Sequence, residues 1–86
     1  MESSSIEGQI EDFLHRDFKI SLSDPGFSRQ VDLFGGGYVD SVGFAELLAF
    51  LAERFGVEVP ESDLLSDEFS SIEGIAAVVR RLMDSR

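Results

Sequence analysis

Apolar residues recur at helical spacing in three stretches of the chain, and the intervals between those stretches mark the rest of the architecture. Ile6, Ile10, Phe13, Leu14 and Phe18 fall on one face at intervals of 4, 3, 1 and 4, which predicts helix one from about Ser4 to Phe18. Ser4 and Glu7 stand at capping-box spacing, and Glu7, Glu11, Asp12 and Arg16 supply the mixed charge of a solvated outer face. The helical period then fails over the loop 19–40. Asp24-Pro25-Gly26 and Gly35-Gly36-Gly37 are turn signals there, while Ile20, Leu22, Phe27, Val31, Leu33 and Phe34 give enough apolar anchors for an ordered loop rather than a tether. Such a length of loop is itself a pointer to function.

The period returns for helix two, 41–55, which starts at Asp40 or Ser41 and has Arg54 in its last turn and Gly56 at the C-cap position. Its apolar positions exceed one core-facing stripe, so some of them face outward. The polar remainder reads Gly43, Glu46 and Glu53, with Phe50 between the two acids. Residues 61–66 suit one short helical turn with Leu64 and Leu65 pointing inward. Ser70 and Glu73 form a capping box for the last helix, 70–83, whose inner face is Ile72, Ile75, Ala76, Val79, Leu82 and Met83 and whose end near Arg80 and Arg81 suits a helix C-terminus. The pattern predicts an all-α four-helix bundle: three main helices, one short helix, a long loop between helices one and two, no strands, and a single domain over 1–86. At this length a compact chain has a radius of gyration of roughly 12 Å.

Charge narrows the partners. Seven Lys and Arg against seventeen Asp and Glu leave a net charge of −10, which argues against nonspecific nucleic-acid binding. Eight acids lie in residues 40–68 against Arg54 alone, so the negative charge is concentrated from helix two onward and would steer basic patches of partner proteins to that end. With no cysteine there is no disulfide framework, thiolate metal site or Cys nucleophile, in agreement with a reducing compartment. The first residues carry no basic region followed by an apolar run, and no stretch approaches the roughly 20 apolar residues of a bilayer helix. A soluble, cytoplasmic monomer is expected.

Chemical motifs are sparse. The single histidine, His15, cannot form a His-pair metal site, lies on the outer side of helix one near its end, and is given no role. The glycine run is read as a turn demanding positive φ, since no Lys follows it and the helix starts several residues later. No general acid and base pair is visible, so no catalytic residue is assigned and an enzyme is poorly supported. What remains is Tyr38-Val39-Asp40-Ser41-Val42, a serine where the long loop meets the central helix. On physics alone Ser41 is most simply an N-cap.

Asp40-Ser41-Val42, Leu47-Leu48, the run from Glu53-Arg54-Phe55-Gly56 to Val57-Glu58-Val59-Pro60, and Phe69-Ser70-Ser71-Ile72 together resemble the acyl carrier protein family, including the peptidyl carrier domains of assembly lines. The resemblance spans almost the whole chain and implies that Ser41 receives 4′-phosphopantetheine from coenzyme A, with Asp40 as the adjacent acid that helps engage the transferase and its magnesium; on its chemistry alone Asp40 is an N-cap carboxylate, and the two roles are compatible. It implies a non-catalytic shuttle whose arm supplies the thiol this chain lacks. The implied partners are a phosphopantetheinyl transferase, an acyl- or aminoacyl-loading ligase or adenylation enzyme, and downstream synthase, transferase or tailoring enzymes. Their docking is expected around Ser41 and along helix two at Val42, Phe44, Glu46, Phe50 and Glu53, although by helical spacing alone Phe44 or Phe50 is more often core than interface. Fatty-acid carriers are richer in acids where this chain has Gly43 and Ala52, which favours a discrete carrier of polyketide or nonribosomal-peptide metabolism. D-alanyl carriers share that scarcity of acids. The alternative is a small acidic adaptor that binds a partner through helix two, with Ser41 only a helix cap.

Overall fold

The structure, a computed structural model, describes residues 5–21 and 23–85. Among the described residues four α-helices follow one another: α1 Ile6–Asp17, α2 Ser41–Phe55, α3 Glu61–Leu64 and α4 Ile72–Ser85, with a 3-10 turn at Asp67–Ser70 between the last two. No strand occurs among the described residues, as the all-α four-helix expectation requires. The Cα radius of gyration is 12.1 Å, in agreement with the length.

One core joins all the main elements. Ile10 and Leu14 of α1, Leu47 and Leu51 of α2, and Ile72, Ile75 and Val79 of α4 are fully buried, and Leu33 from the long loop joins them. Each such side chain contributes about 2 kcal/mol by leaving water. α4 packs chiefly against α1 and the 3-10 turn and also touches α2. Gly56 ends α2 in the left-handed conformation, φ +68°, and its amide donates to Ala52 O at 3.0 Å, as its C-cap position predicts.

The caps of α1 and α4 fall one residue later than expected. The Ser4 cap and the Leu22 anchor lie outside the described residues; Ser5 caps α1, its Oγ accepting from Gly8 N at 2.9 Å. Ser71 caps α4, its Oγ accepting from Gly74 N at 3.1 Å, whereas Ser70 Oγ donates to Asp67 O. Where serines stand in tandem, the one directly before the first apolar residue takes the cap, because Ile6 and Ile72 can then turn toward the core from the first helical position. Leu65 is 78% exposed, contrary to the inward orientation expected of it, because α3 stops at Leu64.

Arg80 and Arg81 do not end α4, which continues to Ser85. They reach sideways: Arg80 Nη2 is 2.6 Å from Glu7 Oε1 on α1, and Arg81 Nη2 is 2.6 Å from Asp63 Oδ1 on α3. Hydrogen bonding from Arg80 holds the Glu7 carboxyl below its ordinary value of 4.5, against a smaller opposing push from partial burial. A carboxylate with a depressed folded pKa stabilises the fold fully above its unfolded pKa, and that contribution is lost as pH falls through the folded pKa. Because Arg80 is solvent-exposed, the pair is worth at most about 1 kcal/mol. Thermal unfolding followed from neutral pH into the acid range below 4.5 should therefore show a smaller acid loss in Glu7→Gln than in wild type. Identical pH profiles would remove this pair from the acid sensitivity of the fold.

Candidate functional site

The long loop is fastened at both ends before it delivers Ser41. Behind α1, Lys19 takes a left-handed φ of +57° and turns the chain, and the His15 imidazole donates from Nδ1 to Ile20 O at 2.8 Å. His15 is therefore half-buried and structural, not a solvated residue without partners; its ring also meets Phe27 edge-on at 5.0 Å. Arg29 links the loop to both neighbouring helices, donating to Glu11 Oε1 at 2.9 Å and accepting from Glu73 N at its carbonyl at 2.9 Å. Glu11, expected on a solvated face, thus holds the loop, and Glu73, expected in a capping box with Ser70, holds it through its amide to Arg29 and through its carboxylate, which accepts from Gln30 Nε2 at 2.9 Å.

Leu33 is the inner anchor. Its amide donates to Ser70 O at 2.8 Å, and its carbonyl accepts from Tyr38 N at 2.9 Å and Val39 N at 3.0 Å. The turn between is closed by Asp32, whose Oδ1 accepts from Phe34 N and Gly35 N. Of the three glycines only Gly37 has positive φ, +82°. Gly36 is required by proximity instead, since a Cβ there would stand 2.8 Å from Asp32 O.

Asp40, not Ser41, caps α2. Asp40 has extended backbone angles, φ −103° and ψ −170°, its Oδ1 accepts from Gly43 N at 2.8 Å, and its carbonyl accepts from Phe44 N at 2.8 Å. Ser41 is the first residue inside the helix, exposed, and its hydroxyl has no hydrogen-bond partner among the described residues. The cap reading of Ser41 is overturned because a cap needs the extended conformation that Asp40 already occupies. At the same place the amides of Ser41 and Val42 belong to the first turn, where an α-helix has no acceptor of its own for them.

Ser41 lines an open groove of about 760 Å³ between the loop, α2, α3 and the 3-10 turn. Phe34, Val39, Phe44, Leu64 and Phe69 make its apolar walls, and Asp32, Asp40 and Asp67 add carboxylates. Phe44 meets Phe34 edge-on at 5.3 Å and Phe69 at 6.0 Å, so it is a half-buried wall rather than a freely presented docking residue. The same correction applies to Phe50, which stacks on Phe13 at 4.2 Å and meets Phe55 edge-on.

The other sequence-derived positions on α2 do face out. Val42 is 69% exposed, and Glu46 and Glu53 are exposed along the same side with Ala45 and Ala49. Glu46 and Glu53 flank a shallow cleft with Phe13, Arg16, Asp17 and Phe50. Gly43 does not belong to this polar stripe. It is buried, and a Cβ there would lie 2.4 Å from the Phe18 ring, so the glycine lets α2 approach the end of α1. A glycine one turn into a helix is a detectable signal of such an approach, because its propensity cost demands a reason. Tyr38 was also missed by sequence reasoning. Desolvation and the neighbouring Asp24 carboxylate push its phenol above its ordinary pKa.

Among the described residues no group of three or more His, Cys, Asp or Glu side chains could hold a metal ion, and no helix is long and apolar enough to cross a membrane. The site thus consists of one unengaged hydroxyl on a helix N-terminus, an adjoining groove and an acid beside it.

Residues 9–79 match the family model described as "Phosphopantetheine attachment site". The chain is 30% identical over 81 residues to a D-alanyl carrier protein of Streptococcus uberis, covering 94% of this chain and 99% of that protein. It is 31% identical over 78 residues to a D-alanyl carrier protein of Streptococcus pyogenes serotype M5, covering 91% and 95%. A D-alanyl carrier protein of Streptococcus sanguinis is 29% identical over 80 residues, covering 93% and 98%. No solved structure matches the chain.

Proposed function

This chain belongs to the phosphopantetheine-attachment family of acyl-carrier-type proteins, which are shuttles rather than enzymes and carry covalent 4′-phosphopantetheine. From that premise we propose that Ser41 is the attachment point and that the protein is a discrete cytoplasmic carrier, loaded with an amino acid or small acyl unit by an adenylating ligase. The observation that carries the reading is the exposed Ser41 hydroxyl, unbonded among the described residues, at the first position of α2.

The residues fit the group. A phosphodiester on Ser41 Oγ would stand at the positive end of α2, beside amides that lack intrahelical acceptors, where a helix favours negative charge. The bound arm supplies a thiol on which acyl groups ride as thioesters. The protein contributes geometry: Asp40 holds the first turn through Gly43 N, and the aromatic walls of the groove adjoin the tether. In the attachment itself Ser41 Oγ would lose its proton and form the bond to the pantetheine-side phosphorus of coenzyme A as the pyrophosphate P–O bond breaks and adenosine 3′,5′-bisphosphate leaves, under the action of a separate transferase. Asp40, by its adjacency, would also help that transferase place its magnesium.

Partner docking is assigned to the outer side of α2, with Val42 as an apolar contact and Glu46 and Glu53 as charges for basic patches. Phe50 would contribute only the edge that reaches the cleft between those acids. The D-alanyl relatives support an aminoacyl unit, so nonribosomal-peptide or D-alanyl types of loading are favoured over polyketide chemistry.

Incubation of the full chain with coenzyme A, magnesium and a broad-specificity phosphopantetheinyl transferase tests the reading. Intact mass should rise by one phosphopantetheine, and fragmentation should place it on Ser41. An unchanged mass, or a label on another serine, defeats the proposal.

A further inference from the structure

The segment that presents Ser41 contains a weak point and, next to it, a brace. Gly35, Gly36 and Gly37 are consecutive and exposed, and glycine loses more backbone freedom on ordering than any other residue. Tyr38 follows them directly, three residues before Ser41. Its ring meets Phe27 edge-on at 5.2 Å, and its hydroxyl donates to Asp24 Oδ2 at 3.3 Å. Phe27 in turn meets His15 edge-on at 5.0 Å, so the brace runs back to α1. Two glycine turns close over Tyr38: a Cβ at Gly36 would lie 3.3 Å from its ring, and one at Gly26 would lie 3.0 Å from its hydroxyl. Asp24 is itself fixed, since its Oδ1 accepts from Gly26 N at 2.8 Å.

Tyr38 takes no part in the groove beside Ser41, so its packing is not explained by cargo or tether. We infer that Tyr38 is a positioning residue for modification of Ser41: wedged between the 24–27 turn and the glycine run, it fixes the register of residues 35–40 and so holds the Ser41 hydroxyl where a transferase can use it. The inference rests on the reading of Ser41 as attachment point. Without the wedge the glycine run samples several conformers, and only a fraction of molecules presents Ser41 correctly. Apparent affinity for the transferase falls by that fraction, while turnover of the correctly held complex is unaffected. KM for the carrier rises and kcat stays.

Steady-state phosphopantetheine transfer onto the full chain separates these quantities, at a temperature where circular dichroism shows each variant folded. Tyr38→Ala is expected to raise KM for the carrier roughly tenfold and leave kcat within about twofold, as for a competent state populated one part in ten. Tyr38→Phe keeps the ring and should return KM close to wild type. Phe27→Leu withdraws the brace without altering residues 33–41 and should give the same signature at smaller size, which also covers the case of Tyr38→Ala failing to fold. Val78→Ala, a cavity in the fully buried face of α4, should lower stability and leave KM unchanged. The inference is overturned by an unchanged KM in Tyr38→Ala and Phe27→Leu, by a fall in kcat at constant KM, or by an equal KM rise in Val78→Ala. Failure of the attachment reading has a different sign, since wild type itself would then gain nothing on Ser41.

Discussion

Ser41→Ala is expected to take up no phosphopantetheine and to keep its stability to within about 0.5 kcal/mol. Both halves of that result come from the same geometry. The hydroxyl is exposed and makes no hydrogen bond among the described residues, so its removal leaves no partner unsatisfied. Alanine is also a better intrinsic helix former than serine. Asp40→Ala should lose stability instead: it deletes the acceptor of Gly43 N and costs about 1 kcal/mol, but it keeps the oxygen to be modified, so the label still appears, only more slowly for want of the acid that helps place the transferase's magnesium. Intact mass after incubation with transferase and coenzyme A, beside thermal unfolding of the same samples, reads both effects. If Ser41→Ala lost as much stability as Asp40→Ala, the hydroxyl would have a structural task and the separation of roles would fail.

That separation could not be read from the sequence. Asp40 and Ser41 are both good capping residues, and only backbone angles decide which of them stands outside the helix. The same ambiguity moved the caps of α1 and α4 by one residue, because Ser5 and Ser71 follow other serines. The three main helices were legible because Ile10, Phe13 and Leu14, or Ile72, Ile75 and Val79, repeat with the helical period and are buried together. α2 was harder to orient. With apolar residues on nearly all sides, its pattern allowed Phe44 and Phe50 to be read as surface, whereas aromatic partners from three other segments draw them inward. The loop anchors were hidden for another reason. His15, Asp24, Phe27 and Tyr38 make contacts across 5 to 14 residues of irregular chain, where no periodicity reports which side chains meet.

The fold and the site share a dependence on Gly74. Helix propensity alone says that Gly74→Ala should stabilise α4 by about 1 kcal/mol. The packing says otherwise. A Cβ at Gly74 would stand 1.7 Å from Glu68 O and 2.7 Å from Glu68 C, and both are backbone atoms that cannot swing aside like a side-chain tip. The 3-10 turn or the start of α4 must move, at a cost typical of overpacking, about 3 kcal/mol, so the contact outweighs the propensity. Displacement of Glu68 carries Phe69, a wall of the groove, and Ser70, whose carbonyl receives the Leu33 amide at the base of the loop that delivers Ser41. Gly74→Ala is therefore expected to lower the unfolding midpoint by more than any glycine replacement whose obstacle is only a side chain, and to slow modification of Ser41 as well. Gly37→Ala is the control: nothing lies within 4 Å of the added carbon, and only the positive φ opposes it, at about 1 kcal/mol. Chemical denaturation of the two variants ranks the effects, and a Gly74→Ala protein as stable as wild type would show that α4 and the 3-10 turn can part without loss.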